Sequence, residues 1–234
     1  MSASERRAAP RTAVVWDVLD PVLAGSPLDV VDIGGGTGGS AVRIAGLGHR
    51  VTVVDPSPDA LAALGRRARE RGVEVVGRQG DLSDLPDLVG PDGADVVLCH
   101  GVLEVVDDAA AALASIREVL RPGGHLSLLV AQRHAAVVAR AMAGHFAQAA
   151  ALLDSTEVHG RTRRYTAAEA AALLGTAGFS VVATHGVRVF ADLVPGSLLD
   201  LEPGAAAGLV ELERAVAGRP EYLSLATQVH LLAT

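Results

Sequence analysis

D-I-G-G-G-T-G-G-S, Asp32 to Ser40, follows directly on the run L-D-V-V, Leu28 to Val31. A mostly apolar stretch of this kind reads as a strand buried on both faces of a parallel sheet. Glycines placed directly after it let the backbone turn sharply and approach a ligand with no Cβ in the way. Ser40–Leu47 then has helical character, so the free N–H groups of its first turn point back into the same crevice. Strand, glycine turn and helix together are how an α/β protein holds a nucleotide-like cofactor at the carboxyl end of its strands. The glycines admit two spacings: Gly34, Gly36 and Gly39 fit G-x-G-x-x-G, and Gly34, Gly36 and Gly38 fit G-x-G-x-G behind an acid, Asp32. A tight turn with no ligand is the plain alternative.

Working outward, the pattern predicts strands at Val51–Asp55, Val73–Val76, Ala94–Cys99 and His125–Ala131, with helices at Asp59–Arg71 and Ala109–Leu120 between them. Upstream, Thr12–Leu23 reads as an amphipathic helix behind Pro10. Strands and helices alternating at this spacing specify a parallel sheet with right-handed crossovers. After residue 131 the rhythm changes. His134–Leu153 reads as one long alanine-rich helix and Ser155–Arg164 as a polar, arginine-rich loop. Thr166–Ala177 is a helix opening on a capping box, followed by a strand at Phe179–Phe190, a helix at Gly204–Ala217 and a closing strand at Ala226–Thr234. The expectation is an α/β fold, a Rossmann-like, seven-stranded, mostly parallel sheet with helices on both faces. It is read as one domain over residues 1–234, with a helical, arginine-rich lid near 133–165.

Composition bounds the function. The chain has 234 residues, half of them hydrophobic, which suits a globular domain with an ample core. The amino-terminal stretch M-S-A-S-E-R-R-A-A-P is polar, with no h-region of a signal peptide. No apolar run is long enough to span a bilayer. The expected location is therefore cytoplasmic, with no membrane partner. The single cysteine, Cys99, excludes an internal disulfide and a multi-cysteine metal site. It reads as a buried, inert thiol, and no metal is expected. A net charge of −7 argues against non-specific nucleic-acid binding by the whole surface, and no DNA partner is expected. The charge is uneven: Arg133–Tyr165 holds five arginines against Asp154 and Glu157, and the remaining chain holds fifteen arginines against twenty-five acids. All the basic residues are arginine, which suits bidentate contacts to carboxylate or phosphate.

Further residues give the glycine turn its context. Asp55 ends the second strand nineteen residues after Gly36, where a carboxylate can accept hydrogen bonds from both ribose hydroxyls; a capping or loop aspartate is the alternative. Asp81 follows the third strand in G-D-L, placed to accept from an adenine amino group with the Leu82 N–H serving a ring nitrogen. L-R-P-G-G, Leu120–Gly124, is by physics a helix stop and a turn. Taken together, D-I-G-G-G-T-G, Asp55, G-D-L, V-L-C-H-G-V-L-E and L-R-P-G-G resemble the motifs of the class I S-adenosylmethionine (SAM) methyltransferases over about residues 28–131. T-A-V-V-W-D-V-L, L-C-H-G-V-L-E-V-V, A-G-H-F and G-V-R-V-F-A-D-L at Gly186–Leu193 extend the resemblance over nearly the whole chain. There it is most similar to the bacterial tRNA 5-carboxymethoxyuridine methyltransferase family. Two features depart from that family's pattern: G-R-T-R-R-Y at Gly160–Tyr165 replaces a lysine-rich run, and Gln132 replaces an asparagine.

The resemblance implies SAM as cofactor, tRNA as partner, and methyl esterification of a carboxymethoxy group on the wobble uridine. Its SAM contacts carry over to Arg11, Gly35, Gly36, Asp55, Asp81, Leu82 and His100, beside Asp32, Gly34 and Gly38 of the glycine turn. A carboxylate acceptor is already ionised at pH 7, so no general base is required and no catalytic residue is assigned. What the chemistry needs is a clamp for the carboxylate. Arg133, His134, Arg161, Arg163, Arg164 and Arg188 are the candidates, with a structural ion pair to Asp192 as the alternative for Arg188 and a solvated loop for Arg161, Arg163 and Arg164. Trp16 reads as core and the arginines on Asp59–Arg71 as an exposed helix face. A second reading of the function is methylation of a small acidic or hydroxylated metabolite.

Overall fold

The computed structural model describes residues 3–153, 163–201 and 203–234. In chain order its elements are α1 (Ala3–Val22), β1 (Asp29–Ile33), α2 (Gly39–Gly46), β2 (Arg50–Asp55), α3 (Pro58–Arg71) and β3 (Val76–Gln79). A 3-10 turn at Leu82–Asp84 leads into α4 (Leu85–Val89), then β4 (Ala94–His100), α5 (Ala109–Val119) and β5 (Leu120–Ala131). The rest is α6 (Arg133–Met142), α7 (Phe146–Leu152), α8 (Ala167–Thr176), β6 (Val181–Val187), α9 (Gly196–Leu201), α10 (Ala205–Ala217), α11 (Pro220–Leu223) and β7 (Gln228–Ala233). The seven strands form one sheet in the order β3-β2-β1-β4-β5-β7-β6. β1 pairs in parallel with both β2 and β4, and β2 with β3. The strand order therefore reverses at β1, and the crevice between the carboxyl ends of β1 and β4 is a topological switch point.

Two compact units divide the chain. One is Val22–Leu128, Ala172–Val182 and Leu232–Thr234; the other is Met1–Pro21, Leu129–Ala171 and Ala183–Leu231. In the first, Val30, Val31, Val53, Val54 and Val96–Cys99 are all almost wholly buried, which is why these strands read as unbroken apolar runs. The Cys99 thiol is buried, and desolvation pushes its pKa up to about 12. Its helices start and stop on local signals. Ser57 accepts from the Ala60 N–H (3.2 Å) to cap α3, which Gly72 ends at φ 66°. Asp108 accepts from the N–H groups of Ala110 and Ala111 to cap α5. In the second unit Thr166 and Glu169 form the expected capping box on α8.

Several boundaries differ from expectation. L-R-P-G-G is not a turn but the opening of β5. Arg121 reaches Asp29 on β1 (2.9 Å) and Asp95 on β4 (2.7 Å), tying the amino ends of three strands together. A Cβ on Gly124 would lie 3.0 Å from the Asp95 carbonyl oxygen, so glycine is what lets the chain come this close. The motif is structural, at the end of the sheet opposite the crevice. β3 sits at Val76–Gln79 rather than Val73–Val76, in register with Thr52–Asp55. α1 runs through Pro10 instead of starting after it. His134–Leu153 is two helices, broken where Gly144 turns at φ 77° and the His145 N–H closes on the Arg140 carbonyl (2.9 Å). The segment expected as a strand to Phe190 leaves the sheet at Val187, for a reason given below. Among the described residues no helix is long and apolar enough to cross a membrane.

Candidate functional site

A cavity of about 440 Å³ opens at the carboxyl ends of β1 and β2 in the first unit, within the range of small-molecule sites. Its walls include Ile33 and Gly34 from the glycine turn, Pro56, Gly80 to Ser83 after β3, Val102 after β4, Asp107 and Asp108 leading into α5, and Ala111 and Ala112 on it. Each glycine of the turn is constrained differently. A Cβ on Gly35 would fall 2.6 Å from the Asp32 carboxylate, and one on Gly38 2.1 Å from Leu64 Cδ1. At Gly36 the nearest atom would be 3.8 Å away, and the backbone, at φ 53°, lies open to a ligand. Gly38 caps α2 with no side-chain hydrogen bond, which leaves that helix start to its bare N–H groups.

Two carboxylates lie behind this turn. Asp55, almost wholly buried, accepts from the Gly36 N–H at Oδ2 (2.9 Å) and from the Ser57 N–H at Oδ1 (2.8 Å). Both oxygens keep a lone pair, and the group is fixed where β2 ends. Asp32 is buried at the end of β1, and its Oδ2 has no hydrogen-bond partner among the described residues. Desolvation, reinforced by the Asp55 charge, raises its pKa to about 7. Asp81 differs: Oδ1 takes both the N–H (2.8 Å) and the hydroxyl (2.6 Å) of Ser83, which hold its carboxyl below the ordinary range. Asp84 in turn accepts from the Asp81 N–H (3.0 Å), completing a capping box that fixes Asp81 and Leu82 at the cavity wall. His100, the last residue of β4, shares a 2.8 Å hydrogen bond with the Ser127 hydroxyl; burial lowers its pKa to about 4, so the ring is neutral at pH 7. The sequence-derived set Asp32, Gly34, Gly35, Gly36, Gly38, Asp55, Asp81, Leu82 and His100 is thus gathered at the carboxyl ends of β1, β2, β3 and β4. A contact the sequence did not suggest is Arg67 on α3, which donates to the carbonyl (3.0 Å) and hydroxyl (3.1 Å) of Thr37 and braces the turn from outside.

The remaining candidates lie in the second unit, where a cavity of about 350 Å³ is lined by α6, by residues 189–193 and by Arg164. Arg140 and Arg164 bring positive charge to it, and Phe190 an aromatic face. Asp192 is gripped by Arg188 (2.6 Å) and by Arg11 (3.2 Å), so Arg188 makes the ion pair held open as its alternative role. Arg133 is buried and pairs with Glu169. His134 is exposed, its N–H donating to the Gln132 side chain that caps α6 (2.5 Å). Arg163 lies beside the Tyr165 hydroxyl. Arg161 falls outside the described residues.

Glu213 is the residue that sequence reading missed. It is fully buried on α10 and accepts from three consecutive backbone N–H groups, Val189 (2.9 Å), Phe190 (2.8 Å) and Ala191 (2.7 Å). A strand would have given these groups to a neighbour. Arg188, at φ 62°, turns the chain out of β6 and Glu213 takes the next three amides. The signal was present: Glu213 shares a helix face with the buried Ala206, Leu209, Val216 and Ala217.

Comparison with known proteins agrees with this geometry. The methyltransferase domain family matches residues 30–124. The chain is 31% identical to the tRNA 5-carboxymethoxyuridine methyltransferase of Escherichia coli strain K12, an alignment covering 95% of this chain and 87% of that one. It is 32% identical to a ubiquinone biosynthesis O-methyltransferase of Xanthomonas euvesicatoria pv. vesicatoria, strain 85-10, over 68% of this chain and 65% of that one. Its fold is similar to that of magnesium protoporphyrin IX methyltransferase from Synechocystis PCC 6803 solved with bound SAH, at a TM-score of 0.61 and 19% identity, covering 97% and 82% of the two chains.

Proposed function

Since the chain belongs to the class I SAM-dependent methyltransferases, we propose that it methylates a carboxylate carried on a tRNA wobble uridine, turning carboxymethoxyuridine into its methyl ester. The observation that carries this reading is the extent of the likeness to a tRNA carboxyl methyltransferase, 31% identity over 95% of the chain, where the ubiquinone-type relative matches 68%. The residues around the first cavity fit SAM: an open backbone at Gly36, a fixed carboxylate at Asp55 for the sugar hydroxyls, and Asp81 with the Leu82 N–H for the base. When bound, SAM supplies an electrophilic methyl group. The protein then has to orient and desolvate the acceptor, because a carboxylate is ionised at neutral pH and needs no base. Holding the attacking oxygen about 3–3.5 Å from its target is the main catalytic contribution asked of the chain.

Methylation of a small acid or hydroxylated compound is the second reading, favoured by the net charge of −7 and by the O-methyltransferase relative. Mass spectrometry of tRNA from cells with and without the protein separates the two. Loss of the methyl ester, with the free carboxymethoxy nucleoside accumulating, is the expected result. A methyl ester that persists at its normal level ends the tRNA reading.

A further inference from the structure

The geometry points to the carboxyl-terminal half of α3 and the adjoining edge strand β3 as a docking surface for the phosphate backbone of the nucleic-acid acceptor. The inference rests on the tRNA reading above. Residues 66–78 carry five arginines and two glutamates, a net +3 within a chain of net −7. Arg66, Arg67, Arg69, Arg71 and Arg78 are all exposed, and β3, the last strand of the sheet on its side, is exposed along its whole length. Six other arginines, Arg11, Arg50, Arg121, Arg133, Arg188 and Arg214, each pair with a carboxylate among the described residues, whereas Arg117, Arg140, Arg163, Arg164 and Arg219, scattered along the chain, do not. Among the described residues no ion pair engages Arg66, Arg69, Arg71 or Arg78, although the chain has 27 acids.

Helix-dipole stabilisation accounts for cations in the last turn, Arg69 and Arg71. It does not account for Arg66 one turn earlier, for Arg78 on the strand, or for the link to the cofactor turn. That link is Arg67, whose hydrogen bonds to Thr37 join α3 to the glycine loop. Arg66 and Arg69, three residues apart, share one face of α3, while Arg71, about 7.5 Å beyond Arg66 along the axis, leaves the helix on another. A nucleotide presented to the cofactor cavity would have its flanking backbone steered along this edge.

The test measures binding of end-labelled tRNA, taken from cells lacking this protein, to the full chain between about 50 and 200 mM salt. The variant is Arg66→Gln/Arg69→Gln/Arg71→Gln. Arg67 is left in place, and Arg219→Gln serves as an exposed control. The triple variant is expected to bind at least about tenfold more weakly at the lowest salt, with a log–log salt slope shallower by about 2. Its S-adenosylhomocysteine affinity and the control's tRNA affinity stay at the wild-type value. Unchanged tRNA binding by the triple variant, or no tRNA binding by the wild type, overturns the surface. If the wild type binds tRNA through these arginines yet forms no methyl ester on it, the surface stands and the acceptor reading falls. If the ester forms and the variant binds as well as the wild type, the acceptor reading stands and the surface falls.

Discussion

Asp32 sits beneath the backbone of Gly35 with a second carboxylate, Asp55, on the neighbouring strand. Burial and that neighbour move its pKa from an ordinary 3.8 to about 7, so the folded protein holds a proton that the unfolded chain releases. Between these two values the folded state binds more protons, and this group's contribution to stability falls as pH rises. Above pH 7 its cost is fully present, on the order of 4 kcal/mol. His100 acts in the opposite sense: its pKa is lowered to about 4, so stability is lost as pH falls below about 6.5. The two slopes overlap, and only a difference between variants isolates Asp32. Asp32→Asn is expected to be more stable than the wild type at pH 8, the gap closing toward pH 4, in urea titrations at several pH values. A gap independent of pH would mean the carboxyl ionises normally. Asp55 is a separate case, because its two backbone hydrogen bonds fix it at the carboxyl end of β2. Asp55→Ala is expected to weaken SAM binding by roughly 1.5–3 kcal/mol, the scale for hydrogen bonds to a charged group. Titration calorimetry showing unchanged affinity would remove the ribose assignment.

At the scale of elements, the turn after β6 shows what one buried side chain can decide. Glu213 supplies the acceptors for three successive amides, and the turn it holds carries Phe190 and Asp192 to the cavity of the second unit. Glu213→Ala strands these N–H groups where water does not reach, and is expected to cost about 3 kcal/mol or more. Glu213→Gln, keeping one oxygen, should restore part of that in denaturant titrations; equal stability of Ala and wild type would show that the amides find other partners. This element also marks where local pattern stops being informative. V-V-A-T-H-G-V-R-V-F alternates like a strand through Phe190, and nothing nearby announces that a helix residue more than twenty positions away will take the amides. The long alanine run hid the break at Gly144 for a related reason, since alanine favours helix on either side of it. β3 starts later than the apolar V-E-V-V suggests because an edge strand pairs on one side only and its register is set by β2. By contrast β1, β2 and β4 were legible because strands buried on both faces must be apolar throughout. The α8 cap was legible because its partners are three residues apart. The glycine turn, Asp55 and Asp81 were legible because their positions at strand ends follow from the fold. Glu213 and Arg67 depend on packing between distant elements, and the sequence gives no distance.

For the whole molecule, the way the chain is divided between its two compact units bears on how it unfolds. The chain passes between the units five times, at Pro21/Val22, Leu128/Leu129, Ala171/Ala172, Val182/Ala183 and Leu231/Leu232. Every passage falls inside a regular element, namely α1, β5, α8, β6 and β7. None falls in a flexible linker, where independent domains are normally separated. Melting one unit alone would have to part a helix or strand at each of the five passages, near the middle of α8 and within β5 and β7, abandoning backbone hydrogen bonds on the side that stays folded. We therefore expect residues 1–234 to unfold as one cooperative domain, with calorimetric and van't Hoff enthalpies in agreement. The cofactor sharpens the test, because the cavity we propose for it lies wholly in the first unit. S-adenosylhomocysteine at about 100 times its dissociation constant adds roughly 2.7 kcal/mol, which for a chain of this size raises Tm by roughly 5–10 °C. If the protein is one cooperative unit, the whole heat-absorption peak moves by that amount. Two peaks, with only one displaced by the ligand, would mean that the units melt separately and that the strands running through both fray without cost.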